Sequence, residues 1–96
     1  MKTQTLEDIT NYRIYVTTHF YQPGESYIKI AQPGTGQEIY LTKEMRAIWL
    51  YLETNEGATL DELTNIFSPR TAQEITEILQ FFIDLRLIML EEMSDW

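Results

Sequence analysis

Residues 36–52, GQEIYLTKEMRAIWLYL, decide the fold, because the apolar period changes inside them. Up to Leu41 the apolar side chains alternate, and Ile39 and Leu41 share one face of an extended segment. Beyond that point Met45, Ile48, Trp49 and Leu52 fall at i, i+3, i+4 and i+7, the apolar stripe of a helix. Thr42 at the junction can cap that helix, with Glu44 in its first turn. The chain is therefore read as strands before residue 42 and helices after it.

Toward the N-terminus the period of two continues. Ile28 and Ile30 share a face of a strand from Tyr27 to Ala31, while Tyr12, Ile14 and Val16 alternate with Arg13, Tyr15 and Thr17. Gln22-Pro23-Gly24-Glu25 and Pro33-Gly34-Thr35-Gly36 are turns by their chemistry: proline presets φ and glycine tolerates positive φ. With Gln37 to Leu41 as the third strand, the expectation is one three-stranded antiparallel meander.

Toward the C-terminus each helix has a start signal. Asn55-Glu56-Gly57 ends the first, and Thr59-Leu60-Asp61-Glu62 is a capping box opening a short second helix that buries Leu60, Leu63, Ile66 and Phe67. Ser68-Pro69 breaks it, and Thr71-Ala72-Gln73-Glu74 is a second capping box, opening a helix that runs to about Leu87. On this third helix Ile75, Ile78, Phe82 and Leu85 form a core stripe. A second line, Ala72, Thr76, Leu79 and Ile83, runs beside it, and Phe81 stands on the opposite flank near Glu74 and Glu77. The second line either packs under the sheet or against the first helix, or it lines a ligand groove. The fold class is α+β: a three-stranded antiparallel sheet followed by three helices, resembling a winged helix-turn-helix.

At 96 residues the chain holds one domain. The division expected is a polar segment 1–11, a domain 12–90 and an acidic tail 91–96. There is no cysteine, which removes disulfides, thiolate metal sites and iron–sulfur ligation. Residues 1–11 lack the apolar stretch of a signal peptide, and no run approaches the ~20 apolar residues of a membrane span. A cytoplasmic protein with no membrane partner is expected.

The net charge of −8 is unevenly spread. Residues 1–52 balance five bases (Lys2, Arg13, Lys29, Lys43, Arg46) against five acids (Glu7, Asp8, Glu25, Glu38, Glu44), so the whole excess lies in residues 53–96, where only Arg70 and Arg86 oppose ten acids. The helix-turn-helix look of the second and third helices raises DNA binding, but a DNA reader needs a basic footprint. The would-be recognition helix carries Glu74, Glu77 and Asp84 against Arg86, which repels a polyanion. No nucleic-acid partner is expected.

Catalytic chemistry finds no material either. His19 is the only histidine and reads as a structural strand residue, with nothing nearby to complete a triad or a metal site. Gly34-Thr35-Gly36 lacks the lysine and the following helix of a phosphate loop. Asp61-Glu62 and Glu91-Glu92 are sequence neighbours that do not face each other on a helix. Met45, Met89 and Met93 read as gap-fillers or tail residues. No catalytic residue, metal ligand or cofactor is expected, and the chain reads as a binding module.

The order of elements, with Gly36-Gln37-Glu38-Ile39-Tyr40-Leu41-Thr42, Ala47-Ile48-Trp49, Thr59-Leu60-Asp61-Glu62-Leu63 and Phe82-Ile83-Asp84-Leu85-Arg86-Leu87-Ile88, resembles the PqqD-like family over residues 12–90. These are precursor-peptide recognition elements from clusters that make ribosomally synthesised, post-translationally modified peptides. Thr42 stands where many members have asparagine, a change that keeps the helix-cap role. The resemblance implies a winged-helix-like fold that binds the leader segment of a precursor peptide as an added antiparallel strand beside the third strand, against the third helix. It then presents the peptide to a separate modifying enzyme. Carried onto this chain, the peptide-binding residues are Gln37, Glu38, Ile39, Tyr40 and Leu41 on the strand and Ala72, Thr76, Leu79 and Ile83 on the helix, with Phe81 as the alternative flank.

An exposed strand edge is also a template for strand addition on physical grounds alone. A free-standing member fits a lasso-peptide cluster, with a leader peptidase and cyclase as partners. A PQQ or other radical-SAM pathway is the alternative, and a winged-helix transcription module a more distant one.

Overall fold

A computed structural model describes residues 11–92. The elements are β1 (Tyr12–Val16), β2 (Tyr21–Pro23), β3 (Tyr27–Ala31), β4 (Glu38–Thr42), α1 (Lys43–Thr54), β5 (Ala58–Thr59), α2 (Leu60–Ile66), α3 (Ala72–Asp84) and β6 (Ile88–Glu92). The fold is α+β, with three helices and two three-stranded antiparallel sheets, ordered β2-β3-β4 and β5-β1-β6.

This corrects the single meander. The first strand of the meander is β2, which pairs Tyr21 with Ile30 across the Pro23–Gly24 turn. β1 instead joins residues far along the chain: Ile14 lies opposite Ala58 on one side and opposite Leu90 on the other. Its alternation is real, with Ile14 and Val16 buried. Alternation fixes which face is apolar and leaves the hydrogen-bonding partner open.

The third helix also ends earlier than expected. α3 stops at Asp84, and Arg86 takes a left-handed φ of 61°. The Leu87 N–H reaches the Phe82 carbonyl and the Arg86 N–H the Ile83 carbonyl, which together form a Schellman stop. The chain then reverses into β6, and Glu91 and Glu92 of the expected tail pair with Arg13 and Tyr12. Residues 1–10 of the expected polar segment, with Lys2, Glu7 and Asp8, and Met93 lie outside the described residues.

Both sheets and all three helices share one core. Ile14 and Val16 from β1, Ile28 and Ile30 from β3, and Leu41 from β4 pack with Ile48, Trp49 and Leu52 of α1 and Ile75, Leu79 and Phe82 of α3. Among the described residues no polar side chain is buried. Trp49 is fully enclosed, edge-on to Tyr21 with ring centroids 5.0 Å apart. Both capping boxes form: Thr59 and Thr71 accept from the N–H groups of Glu62 and Glu74, whose carboxylates reach back to the cap N–H groups. Thr42 sits at the N-cap of α1 but makes no side-chain cap bond. In α2, Leu60 and Leu63 are buried whereas Ile66 is exposed. No helix among the described residues is long and apolar enough to cross a membrane.

Candidate functional site: the outer edge of β4

Among the described residues β4 has a partner on one side only, β3. The phase of that pairing follows from the hydrogen bond between the Gln32 N–H and the Gln37 carbonyl, residues directly opposite each other. Antiparallel ladders alternate, so Ile39 and Leu41 also direct their backbone groups to Ile30 and Ile28. Glu38 and Tyr40 therefore point both their N–H and C=O groups off the open edge, and Thr42 points its N–H there, its carbonyl being taken up by the first turn of α1. Three such residues span a guest segment of about five residues.

Side chains sort the other way. Leu41 is buried and Ile39 half-buried on the core face, while Glu38, Tyr40 and Thr42 stand on the solvent face. Tyr40 is 53% exposed and meets Tyr27 of β3 edge-on at 5.4 Å. Its hydroxyl donates to Glu38 Oε1 at 3.2 Å, and Lys29 Nζ lies 3.2 Å from Glu38 Oε2. Partial desolvation, then the Glu38 carboxylate, raises the Tyr40 phenol above its ordinary value. The hydrogen bond to Glu38 raises Lys29 likewise. The outer face beside the edge is thus aromatic, with its one close pair of charges already matched.

The other border of the edge is α3. Gln32, opposite Gln37, donates from Nε2 to the Leu85 carbonyl at 3.0 Å. At the far end of β4, Thr42 lines a groove of about 360 Å³ together with Glu77, Ile78 and Phe81. These two contacts bring the C-cap of α3 to the β3–β4 turn and Glu77, Ile78 and Phe81 to the far end of β4. Lys43, Glu44 and Met45 close the groove from the start of α1, and Arg70 from the α2–α3 connection. Arg70 is held by Glu44 and by Glu74, the latter at 3.8 Å. Lys43 has no carboxylate partner among the described residues and sits in the left-handed region at φ 54°.

The sequence-derived site residues divide accordingly. Glu38, Ile39, Tyr40 and Leu41 lie on β4, with Gln37 just before it. On α3, Leu79 is fully buried in the core, Ala72 is exposed and Thr76 half-buried. Ile83 faces a small cavity of about 200 Å³ with Ile88, Met89 and Leu90 of β6. The stripe Ala72, Thr76, Leu79 and Ile83 is thus not the flank that borders β4; Ile78 and Phe81 are. The cause is a shifted core stripe: α3 buries Ile75, Leu79 and Phe82, which rotates Ile78 out to the edge. The missed groove residues Lys43 and Arg70 carry no local motif. Phe81, 42% exposed beside two glutamates, is the one signal that pointed there.

Among the described residues no group of three or more histidine, aspartate or glutamate side chains gathers as a metal site would require. No family model, no curated protein and no solved structure matches the chain.

Proposed function

We propose that this protein is a non-catalytic recognition element that captures the leader segment of a ribosomal precursor peptide. The leader adds as an antiparallel strand to the outer edge of β4, and the protein presents it to a separate modifying enzyme in the cytoplasm. The observation that carries the reading is the open edge at Glu38, Tyr40 and Thr42 running into the groove at Ile78 and Phe81. Backbone pairing gives such a site its affinity, and pockets for alternate side chains give it selectivity. Guest side chains on the core side enter the groove over Ile78 and Phe81, and those on the solvent side lie beside the Tyr27–Tyr40 pair.

The resemblance of residues 12–90 to the PqqD-like family supports the same assignment. The order of three helices, with β5 before α2 and β6 after α3, agrees with a winged-helix-like arrangement. Against a transcription module stand the exposed acids of α3, Glu74, Glu77 and Asp84. A lasso-peptide setting, with a leader peptidase and cyclase as partners, is the favoured reading; a PQQ or other radical-SAM pathway is the alternative.

The test is a fluorescence-anisotropy titration with labelled leader peptides from a precursor encoded beside this gene. Saturable binding, competed by unlabelled leader and lost with a scrambled one, supports the reading. No saturable binding of any such leader sinks it.

A further inference from the structure

A second groove, of about 670 Å³, lies at the opposite end of α1. α1 has 12 residues, about 18 Å of helix. The β4 groove meets its first turn at Lys43–Met45, and the second groove meets its last turn at Leu52–Thr54. The two are far enough apart to be filled together. The floor of the second groove is Val16 and Leu52, and its walls are Tyr15 and Met89. Met89 is 54% exposed on the outer face of β6, directly opposite Tyr15 of β1.

The rim is acidic. Glu53 and Glu56 line it, and no lysine or arginine does. The C-terminal end of α1 adds its own partial negative charge, and its last turn carries no base to offset this. His19 Nδ1 lies 3.2 Å from Glu53 Oε2, and the Tyr21 hydroxyl donates to Glu53 Oε1 at 3.4 Å, which fixes that carboxylate at the rim. Glu56, in the left-handed region at φ 55°, has no ion-pair partner among the described residues. Arg13 lies over the Tyr15 ring, 5.9 Å from its centroid, and is already engaged there: it bonds the Gly57 carbonyl at 3.2 Å and stands 3.6 Å from Glu62. The Tyr15 wall is fixed because Gly57 packs on its ring so closely that a Cβ there would come within 2.8 Å.

We infer that this groove is a docking site for a protein partner, and that it takes a segment carrying arginine or lysine beside an apolar side chain. The apolar side chain lies on Leu52 and Val16 between Tyr15 and Met89, and the cation meets Glu53 and Glu56. This goes beyond peptide capture at β4 and stands without it, since neither groove shares a lining residue with the other.

The probe is the peptide acetyl-Arg-Leu-Arg-Leu-Arg-amide, titrated into the isotope-labelled full chain at ~50 mM salt and followed by NMR. Saturable shifts are expected at the Tyr15, Glu56 and Gly57 amides and the Met89 methyl. Glu56→Lys and Met89→Ser, both at exposed positions, should each weaken binding by about fivefold or more, while Phe81→Ala leaves it unchanged. The inference is overturned if the shifts spread over Glu74, Glu77 and Asp84 or fall on the β4 edge. It is equally overturned if both variants bind as the parent does, or if spermine or the Glu-for-Arg peptide binds as tightly. Because Phe81→Ala acts only at the β4 groove, loss of leader binding and loss of this docking are separable.

Discussion

Pro23 stands opposite Ile28 at a non-hydrogen-bonded position of the β2–β3 pair, a phase fixed by the bond from the Gly24 N–H to the Tyr27 carbonyl. Its ring therefore occupies the place of an N–H that would point off the outer edge of β2. The two edges of this sheet are thus unlike. β2 is three residues long and lacks a donor at its end, which is how a sheet edge is protected from pairing. β4 keeps the outward N–H groups of Glu38, Tyr40 and Thr42 and the carbonyls of the first two.

That asymmetry predicts a split in a proline scan of β4. Glu38→Pro removes an outward donor at the first residue of the strand together with the exposed carboxylate contacts to Tyr40 and Lys29, so leader affinity should fall about fivefold to tenfold at a stability cost of no more than about 1 kcal/mol. Ile39→Pro removes an inward donor and leaves the Ile30 carbonyl unmatched, costing about 1–3 kcal/mol of folding stability. Anisotropy titrations paired with urea melts separate the two. Affinity that merely tracks stability across both variants contradicts strand addition.

Much of this was legible in the sequence where the signal was local. The capping boxes at Thr59 and Thr71, the β3 and β4 alternation and the helical stripe of α1 each involve neighbours within a few residues. What was not legible is long-range or conformational. The pairing of β1 with β5 and β6 joins residues more than forty positions apart, and no local pattern encodes it. The end of α3 was hidden because Arg86, and not glycine, occupies the left-handed position, so Leu85, Leu87 and Ile88 extended an apparent helical stripe. That one disguised stop also concealed β6. The β4 edge of the site was readable; the flank of α3 beside it was not, since it depends on a rotation of the core stripe by one residue.

The three helix starts predict unequal costs for the same substitution. Thr59→Ala and Thr71→Ala each remove an acceptor from an otherwise orphan N–H and free a paired glutamate, which should cost about 1 kcal/mol apiece. Thr42→Ala removes no cap bond, so its effect on stability should stay within about 0.5 kcal/mol. Chemical denaturation of the three variants is sufficient, and an equal loss at Thr42 would contradict the uncapped start of α1.

Alkaline conditions should unfold the protein through one sign of effect. Tyr15, Tyr21 and Tyr40 are each raised above 10.0, first by partial desolvation and then by Glu91, Glu53 and Glu38 respectively. Lys29 is raised above 10.5 by its bond to Glu38. In every case the folded state holds the proton more tightly than the unfolded state. The stability this contributes is complete below the unfolded values and is lost as pH climbs through and above about 10. Urea melts at rising pH should show that decline, and Tyr40→Phe should make it shallower. A stability that is flat or rising through this window is the contrary result.

Leu79 and Phe81 lie two residues apart on α3, and substituting each by alanine tests which flank serves the peptide. Leu79 is fully buried in the core, so Leu79→Ala should cost about 2–5 kcal/mol of stability. Any change in leader affinity should then follow the folded fraction alone. Phe81 is half-exposed over the β4 groove, and Phe81→Ala should leave the unfolding midpoint nearly unchanged while weakening the leader about tenfold through lost apolar contact. Ile83→Ala, on the β6 side, supplies the control: its affinity should match the parent protein's. If Ile83→Ala weakens the leader and Phe81→Ala does not, the guest lies on the other flank of α3 and the groove at Thr42 is not its seat.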